Sequence, residues 1–254
     1  MNNKIIGDIE YKNAEIIFKG DNNIFICDKL TLENCKIRFT GSNSIIYISG
    51  KQHSISLNMR ISNDSVIYIG KNAYINRTSD LYATERKNII IGNELLLSFD
   101  VCFRTADPHT IYDCDTLKRI NPSKSILIGD RVWIGQEALI LKGTTIGSGS
   151  IIGGHSVVSN KNIASNTLYA GNPAKKIKEN VFYGSQVSTH DYTLDDEENS
   201  METDISYKYE LDDTTVSLKD IDEELMNLNN VDDKIKCIQE KLVNNNHKNR
   251  FYIG

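Results

Sequence analysis

One histidine of this 254-residue chain stands where a proton-accepting side chain could do chemistry. His109 follows Pro108 in the segment FRTADPHTIYD, and imidazole exchanges a proton near neutral pH. Proline fixes its own φ and restricts the residue before it, which stiffens the approach. His109 is therefore suited to take up a proton, and triad logic suggests that its second ring nitrogen is held by a carboxylate or carbonyl. Three aspartates are candidates that the sequence does not rank: Asp107, Asp113 and Asp115.

The chain around this segment repeats every six residues. Aliphatic side chains return at Ile128, Ile134, Ile140, Ile146, Ile152 and Val158. A helix repeats near 3.6 and a strand at 2, whereas a period of six fits a coil with three short flat sides. Residues 1–68 are less regular but alternate strand and turn signals, so we expect looser coils there and about ten coils in total. The alternative, a two-layer β-sandwich, would require this spacing to be accidental.

Composition indicates one main globular domain. The chain is 39% hydrophobic and 25% charged, and no apolar run reaches the length of a membrane span. Its start, MNNKIIGDIEYKN, lacks the apolar core of a secretion signal. The five cysteines have no metal-type spacing, which predicts free thiols in a reducing compartment. We therefore expect a cytoplasmic protein.

Charge divides the chain into two parts. Residues 1–184 carry 22 lysine and arginine residues against 17 acidic ones, a net charge of +5, whereas residues 185–254 carry 7 against 17, a net charge of −10. The six-residue repeat also ends before residue 184, so we place a domain boundary there. The acidic part ends in a helical stripe formed by Leu218, Ile221, Leu225, Leu228, Val231, Ile235, Ile238 and Leu242. This tail should pack on its own solenoid, on a sister tail or on another protein, and its charge makes nucleic acid an unsuitable partner.

Two segments carry a resemblance to a known superfamily. IGDRVWIGQEALILKGTTIGSGSIIGGHSVV and YAGNPAKKIK resemble the left-handed β-helix hexapeptide-repeat acyltransferases. SFDVCFRTADPHTIYDCDTLKRIN is most similar to the capsular polysaccharide and polysialic acid O-acetyltransferase branch. The resemblance covers residues 69–178 well and 1–68 weakly, and it does not extend to 185–254. It implies a left-handed parallel β-helix, a homotrimer, acetyl-CoA between neighbouring subunits, and one histidine as general base. Together with the helical tail read from its own periodicity, we expect an all-β, left-handed parallel β-helix with a C-terminal helical appendage.

The resemblance also assigns roles to residues. Trp133 matches the family's tryptophan, which covers the reaction site and donates one hydrogen bond. Acetyl-CoA contacts are implied for Trp133, Gly135, Gln136, Gly154, Ser159, Asn160, Lys161, Lys175 and Lys176. The family often has lysine where Asn160 stands, so Lys161 is expected to replace that contact. Apart from the resemblance, closeness to His109 in the sequence makes Arg104, Asp107, Lys118 and Arg119 the residues expected to bind the acceptor, the three cations if it is anionic.

These features predict an acetyl-CoA-dependent O-acetyltransferase acting on a bacterial surface glycan or its precursor. One alternative is an acyltransferase on a small nucleotide sugar or amino acid. Another is a non-catalytic β-solenoid scaffold, which would not bind CoA. Some hexapeptide β-helices are zinc-dependent carbonic anhydrases, which need three convergent histidines, and of the histidines here only His109 is suitably placed. We therefore expect no metal.

Overall fold

The computed structural model describes residues 2–52, 54–75, 77–184, 201–202 and 204–254. Within them the strands, numbered in chain order, form three sheets that we call faces A, B and C. Face A contains β1 (Lys4–Lys12), β3 (Ile24–Glu33), β5 (Ile45–Ile48), β7 (Val66–Ile69), β10 (Ile89–Ile91), β13 (Ile126–Ile128), β16 (Thr145–Ile146) and β19 (Asn162–Ile163). Face B contains β2 (Glu15–Phe18), β4 (Lys36–Phe39), β6 (Leu57–Ile61), β9 (Ser79–Ala83), β12 (Cys102–Arg104), β15 (Leu139–Leu141) and β18 (Val157–Val158). Face C contains β8 (Tyr74–Ile75), β11 (Leu96–Leu97), β14 (Trp133–Ile134), β17 (Ile151–Ile152), β20 (Thr167–Ala170) and β21 (Lys175–Glu179).

From β7 to β20 the chain winds from face A to face C to face B and back, so strands on neighbouring coils pair in parallel. For example, β10, β11 and β12 form one coil, and they pair in parallel with β13, β14 and β15. The six aliphatic residues of the predicted repeat all point inward with 0% exposure. The predicted β-solenoid is therefore confirmed, and the β-sandwich alternative is excluded.

The coils are longer near the N-terminus than the six-residue repeat predicts. Ile24 pairs with Ile45, and Ile45 with Val66, so those coils take 21 residues each. Ile128 pairs with Ile146, which gives the 18 residues of three strict repeats. Among the described residues, the longest stack is the eight-stranded face A. The expectation of about ten coils was too high, because it assumed an 18-residue coil throughout.

The acidic tail forms helices, as its periodicity predicts. α1 (Leu218–Asn227) begins at Ser217, whose side chain accepts a hydrogen bond from the Asp220 amide, and α2 (Val231–Ile238) begins at Asn230, which accepts from the Asp233 amide. A π-helical segment, Gln239–Val243, continues α2, and a short 3₁₀ turn lies upstream at Ile205–Tyr207. No helix in the described ranges is long and apolar enough to cross a membrane.

The tail packs against the outer side of face A. The outer side of face A is apolar and would be unusual if it faced solvent, but the tail covers it, and the two form one buried cluster. The solenoid contributes Ile24, Ile26, Ile45, Tyr47, Val66, Tyr68, Ile90 and Leu127, and the tail contributes Leu218, Ile221, Leu225, Val231, Cys237, Ile238, Leu242 and Phe251. Of the three packing partners expected for the tail, the structure shows its own solenoid. The predicted linker from residue 185 to residue 200 lies outside the described residues, and a boundary at residue 184 stays a prediction.

Candidate active site

His109 lies on an insertion at the corner between faces B and A. This insertion, residues 105–125, connects β12 to β13, and we call it the His109 loop. Phe103 pairs with Ile140, 37 residues later, so the loop leaves and rejoins the solenoid without disturbing the pairing of the sheets. His109 is exposed there, outside the packed coil. The predicted interruption of the repeat is therefore present and presents the imidazole to solvent.

A small hairpin forms the outer half of the loop. The Ile120 amide donates to the Ile111 carbonyl at 2.9 Å, and Tyr112 pairs with Arg119 in an antiparallel bridge. The turn is closed by Asp113, whose Oδ1 accepts from the Thr116 amide at 2.7 Å. These hydrogen bonds lower the pKa of Asp113, the Thr116 amide contributing most. Asp113 is therefore ionised at neutral pH, and its carboxylate holds the turn closed.

The side chain of Asn121, near the end of the His109 loop, forms hydrogen bonds with residues near the beginning of the loop. The residue is 8% exposed, and its side-chain nitrogen donates to the His109 carbonyl at 2.8 Å and to Asp107 Oδ2 at 2.7 Å. Its side-chain oxygen accepts from the Ile111 amide at 2.7 Å. One buried amide thus fixes the backbone at His109 and Ile111 and holds the Asp107 side chain before them. Sequence reasoning missed Asn121, and the available signal was an asparagine before a proline where the repeat resumes.

Lys142 ties the loop to the next coil. Its Nζ donates to Asp107 Oδ2 at 2.6 Å and to the Asn121 carbonyl at 3.2 Å. The hydrogen bond from Lys142, followed by that from Asn121, lowers the pKa of Asp107. Asp107 is therefore a carboxylate at neutral pH and anchors the loop. Lys142 was not among the predicted site residues.

The imidazole of His109 has no carboxylate partner in the described part of the chain. Asp107 and Asp113 are engaged as above, and Asp115 is exposed, with its amide 3.2 Å from Asp113 Oδ1. The ring is thus presented by a fixed backbone rather than held by one of these side chains. The expected carboxylate or carbonyl that orients the ring stays a prediction.

The basic residues near His109 divide into two kinds. Arg119 pairs with Glu85 at 2.9 Å and also donates to the Asn121 carbonyl at 3.1 Å, and the pKa of Glu85 is lowered chiefly by the hydrogen bond from Arg119. Arg119 therefore supports the loop. Arg104 and Lys118 are exposed, and the Arg104 guanidinium lies 5.2 Å from the ring centre of Tyr82. These two cations are the ones that an acceptor could reach.

Trp133 begins β14 on face C and points outward with 38% exposure. Its ring meets Tyr183 edge-on, with 5.8 Å between centroids. The turn before it is fixed by Arg131, whose guanidinium lies 3.5 Å from the ring centre of Tyr207 and 4.7 Å from that of Tyr183. Burial raises the pKa of Tyr183 to about 12, so this phenol stays protonated. Trp133 is thus a rigid, partly exposed aromatic on a different face from the His109 loop.

Three of the predicted acetyl-CoA residues stack at the corner between faces C and B. A Cβ on Gly135 would lie 2.5 Å from the Gly154 nitrogen, so two successive coils approach each other here as only glycine allows. Gln136 and Gly154 are exposed beside it, and the Gln136 carbonyl accepts from the His155 amide at 2.8 Å. This corner exposes backbone at its edge, which suits close approach of an extended ligand.

The other predicted acetyl-CoA residues lie elsewhere. Ser159, Asn160 and Lys161 are at the corner between faces B and A, where Asn160 Oδ1 accepts from Lys124 Nζ at 2.7 Å. The Lys161 ammonium lies 5.9 Å from the ring centre of Tyr169.

Lys175 and Lys176 lie on β21, which pairs antiparallel with β20 on face C. Lys176 forms an ion pair with Glu179, and this contact raises the pKa of Lys176. Lys175 is exposed. In one chain the predicted residues are therefore distributed over face C and two corners rather than gathered in one pocket.

Comparisons with known proteins supply the family. The model of the bacterial transferase hexapeptide (six repeats) matches residues 125–160. A polysialic acid O-acetyltransferase of Neisseria meningitidis is 37% identical over 171 residues, which is 67% of this chain and 79% of that protein. The chain belongs to this O-acetyltransferase family. A polysialic acid O-acetyltransferase of Escherichia coli O1:K1 / APEC is 41% identical over 134 residues, 51% of this chain but 43% of that longer protein.

Solved structures agree with this assignment. The polySia-specific acetyltransferase NeuO superposes with a TM-score of 0.66 at 31% identity, covering 72% of this enzyme and 88% of NeuO. The polysialic acid O-acetyltransferase OatWY gives a TM-score of 0.55 at 26% identity, covering 76% and 96%. The predicted left-handed β-helix of the acetyltransferase type is thereby confirmed, as is the predicted class of enzyme. In the described part of this enzyme, no group of three or more His, Cys, Asp and Glu side chains is close enough to hold a metal ion.

Proposed function

We propose that this enzyme transfers the acetyl group of acetyl-CoA to a hydroxyl of an anionic, sialic-acid-type surface glycan. The observation that carries the proposal is the His109 loop: a repeat that breaks at one corner, with its backbone fixed by Asn121 and Lys142 and its imidazole exposed. The family relatives act on polysialic acid, as their names state. The net charge of +5 over residues 1–184 and the exposed Arg104 and Lys118 suit an anionic acceptor.

His109 acts as the general base in this proposal. Its imidazole takes the proton of the acceptor hydroxyl, and the freed oxygen attacks the thioester carbonyl carbon. The resulting oxyanion needs fixed donors, for which backbone N–H groups of the coils and the Trp133 indole are available. The C–S bond then breaks, and the imidazolium returns its proton to the leaving thiolate. The ester forms and the histidine regains its neutral state.

The distribution of the site residues favours a trimer. His109 lies at the corner between faces B and A, whereas Trp133 lies on face C, and no hydrogen bond in the described residues connects the two. A neighbouring copy that places its face C beside the His109 loop brings the two side chains together. We therefore propose a homotrimer whose clefts, lined by Gly135, Gly154 and exposed lysines, bind acetyl-CoA. Light scattering should give about three times the 28.7 kDa chain mass; full activity at the monomer mass would contradict it.

The thiols suit a reducing compartment. All five cysteines are free, and three of them are buried: Cys27, Cys35 and Cys237. Burial raises the pKa of the Cys27 thiol to about 11, so it stays protonated and unreactive. We propose the cytoplasm as the location.

The test is an acceptor screen with purified protein and acetyl-CoA. Sialic acid monomers, polysialic acid, neutral oligosaccharides, nucleotide sugars and amino acids are compared by CoA release, and NMR of the product locates the ester. We expect turnover with sialylated acceptors, a loss of roughly 10²–10⁴ in the His109→Ala variant, and unchanged acetyl-CoA affinity. His155→Ala is the matched control, because His155 is also exposed and its Nδ1 lies 3.4 Å from Glu137. Near-normal turnover of His109→Ala would refute the mechanism.

A further inference from the structure

A column of aligned side chains crosses the outer side of face B. Arg38 on β4 pairs in register with Arg60 on β6, Arg60 with Tyr82 on β9, and Tyr82 with Arg104 on β12. The four residues are each 22 positions apart, which is the length of a coil on this face. We call them the Arg–Tyr column. Its members occupy one position on four successive coils, and all four side chains are at least partly exposed.

The arginines of this column differ from most others in the chain. Arg86, Arg119, Arg131 and Arg250 form ion pairs with Asp64, Glu85, Glu94 and Asp130. In the described residues, Arg38, Arg60 and Arg104 have no carboxylate within ion-pair distance. Arg104 Nε donates to Cys102 Sγ at 3.4 Å, and Asp80, in the neighbouring column of face B, acts on Arg104 electrostatically without pairing with it. In these residues, Arg38 and Arg60 and the two terminal nitrogens of Arg104 are thus not neutralised by a carboxylate and can meet an external anion.

Tyr82 organises the two arginines beside it. The Arg60 guanidinium lies 5.8 Å from its ring centre and that of Arg104 lies 5.2 Å away. Such cation–π contacts restrict the long arginine side chains while leaving N–H groups free at their edges. Restricting the side chains in advance reduces the entropy lost on binding.

The column leads to the proposed base. Arg104 ends β12, and the His109 loop begins at the next residue. Adjacent strands are about 4.8 Å apart, so the three steps from Arg38 to Arg104 span roughly 14 Å. That distance exceeds one sugar ring. A monomeric acceptor at His109 would therefore reach Arg104 but not Arg38.

We infer that the Arg–Tyr column binds an extended stretch of an anionic polysaccharide, with one carboxylate per sugar, and directs it toward His109. Guanidinium groups bind carboxylates through paired hydrogen bonds, and repeated carboxylates match repeated arginines. The inference rests on the proposed function and adds to it the path of the acceptor, which extends from His109 along face B toward the N-terminal coils.

The experiment compares acceptors of different length. KM values are measured for a sialic acid dimer and for a series of longer α-linked polymers, with wild type and the double variant Arg38→Gln/Arg60→Gln. Two exposed charge contacts are lost, so KM for the long polymers should rise about five- to tenfold more than KM for the dimer. The rise of KM with salt should also be smaller in the variant. Arg77→Gln is the matched control, because Arg77 stacks on Phe99 at 5.4 Å but lies outside the column.

Equal effects on dimer and polymer, or no effect on either, would overturn the inference. Failure of the proposed function gives a different result, namely no transfer by wild type to any sialylated acceptor. In that case, retention of the protein by polysialic acid in affinity electrophoresis tests the column directly. Weaker retention of the double variant than of wild type and Arg77→Gln supports it, and equal retention overturns it.

Discussion

Replacing Arg250 by methionine should detach the tail from the solenoid. The Arg250 side chain is 1% exposed, and its Nη2 and Nε lie 2.6 and 2.8 Å from the two carboxylate oxygens of Asp130, which is 9% exposed. Its Nη1 donates to the Leu242 carbonyl at 2.7 Å, which fixes the end of the helical tail. The substitution fills most of the same volume with apolar atoms but leaves Asp130 buried without its cation.

Breaking a buried pair from one side costs about 3–5 kcal/mol, because the remaining charge is uncompensated. Here the Asn93 amide still donates to Asp130 Oδ1 at 2.6 Å, so we expect the lower end, about 3 kcal/mol. For a chain of this size that corresponds to a fall in Tm of about 6–12 °C. The loss should also uncover the apolar outer side of face A and promote aggregation on heating.

Thermal unfolding followed by tryptophan fluorescence measures the fall in Tm. Trp133 is the single tryptophan and lies three residues after Asp130. The double variant Asp130→Asn/Arg250→Met removes both charges and should recover most of the loss. Lys241→Met is the control, because Lys241 lies 4.0 Å from Glu224 with both side chains 48% exposed, and such surface pairs contribute about 0–1 kcal/mol. If Arg250→Met melts no lower than Lys241→Met, the ion pair does not hold the tail and this reasoning is wrong.

Three further predictions concern the site. Asn121→Ala should reduce kcat about tenfold or more with little change in acetyl-CoA affinity, because it releases the His109 carbonyl; an unchanged kcat would contradict this role. Asp107→Asn should speed amide hydrogen exchange in the His109 loop at pH 7. Because the native pKa of Asp107 is lowered, its contribution to the stability of the loop is present above the ordinary carboxyl pKa and is lost as the pH falls through the native value. The exchange rates of wild type and variant should therefore converge only in acid. Salt should raise KM for an anionic acceptor while leaving kcat unchanged, and a salt-independent KM would indicate a neutral one.

The solenoid could be predicted from the sequence because its inward positions obey a strict local count. Six aliphatic residues at six-residue spacing fix three sides per coil, and all of them are buried. The N-terminal coils carry three to four more residues each, so the same count loses its register there and overestimates the number of coils. A count of 22 from Arg38 would have aligned the Arg–Tyr column, but such a count becomes meaningful only once the coil length is known.

The supporting residues of the site could not be predicted in the same way. His109 could be predicted as a candidate base because it lies where the six-residue repeat stops and because imidazole exchanges a proton near neutral pH. Asn121 and Lys142 were not, since an asparagine or a lysine at a corner is an ordinary surface residue until the fold brings it to Asp107. Their roles depend on contacts across 14 and 35 residues of sequence, which no local pattern contains.

The fold explains why the His109 loop stands at a corner. Within a strand of the solenoid, alternate side chains point inward and are buried, and the remaining ones belong to a flat face without a concave site. An insertion within a strand would shift its register, whereas one at a corner leaves it intact: Ile91 still pairs with Ile128 across the loop. The price is that one chain presents His109 and Trp133 at separate places on its surface. In the proposed trimer, a second copy of the coil supplies the missing wall of the cleft, so we expect activity to depend on protein concentration wherever dilution separates the subunits.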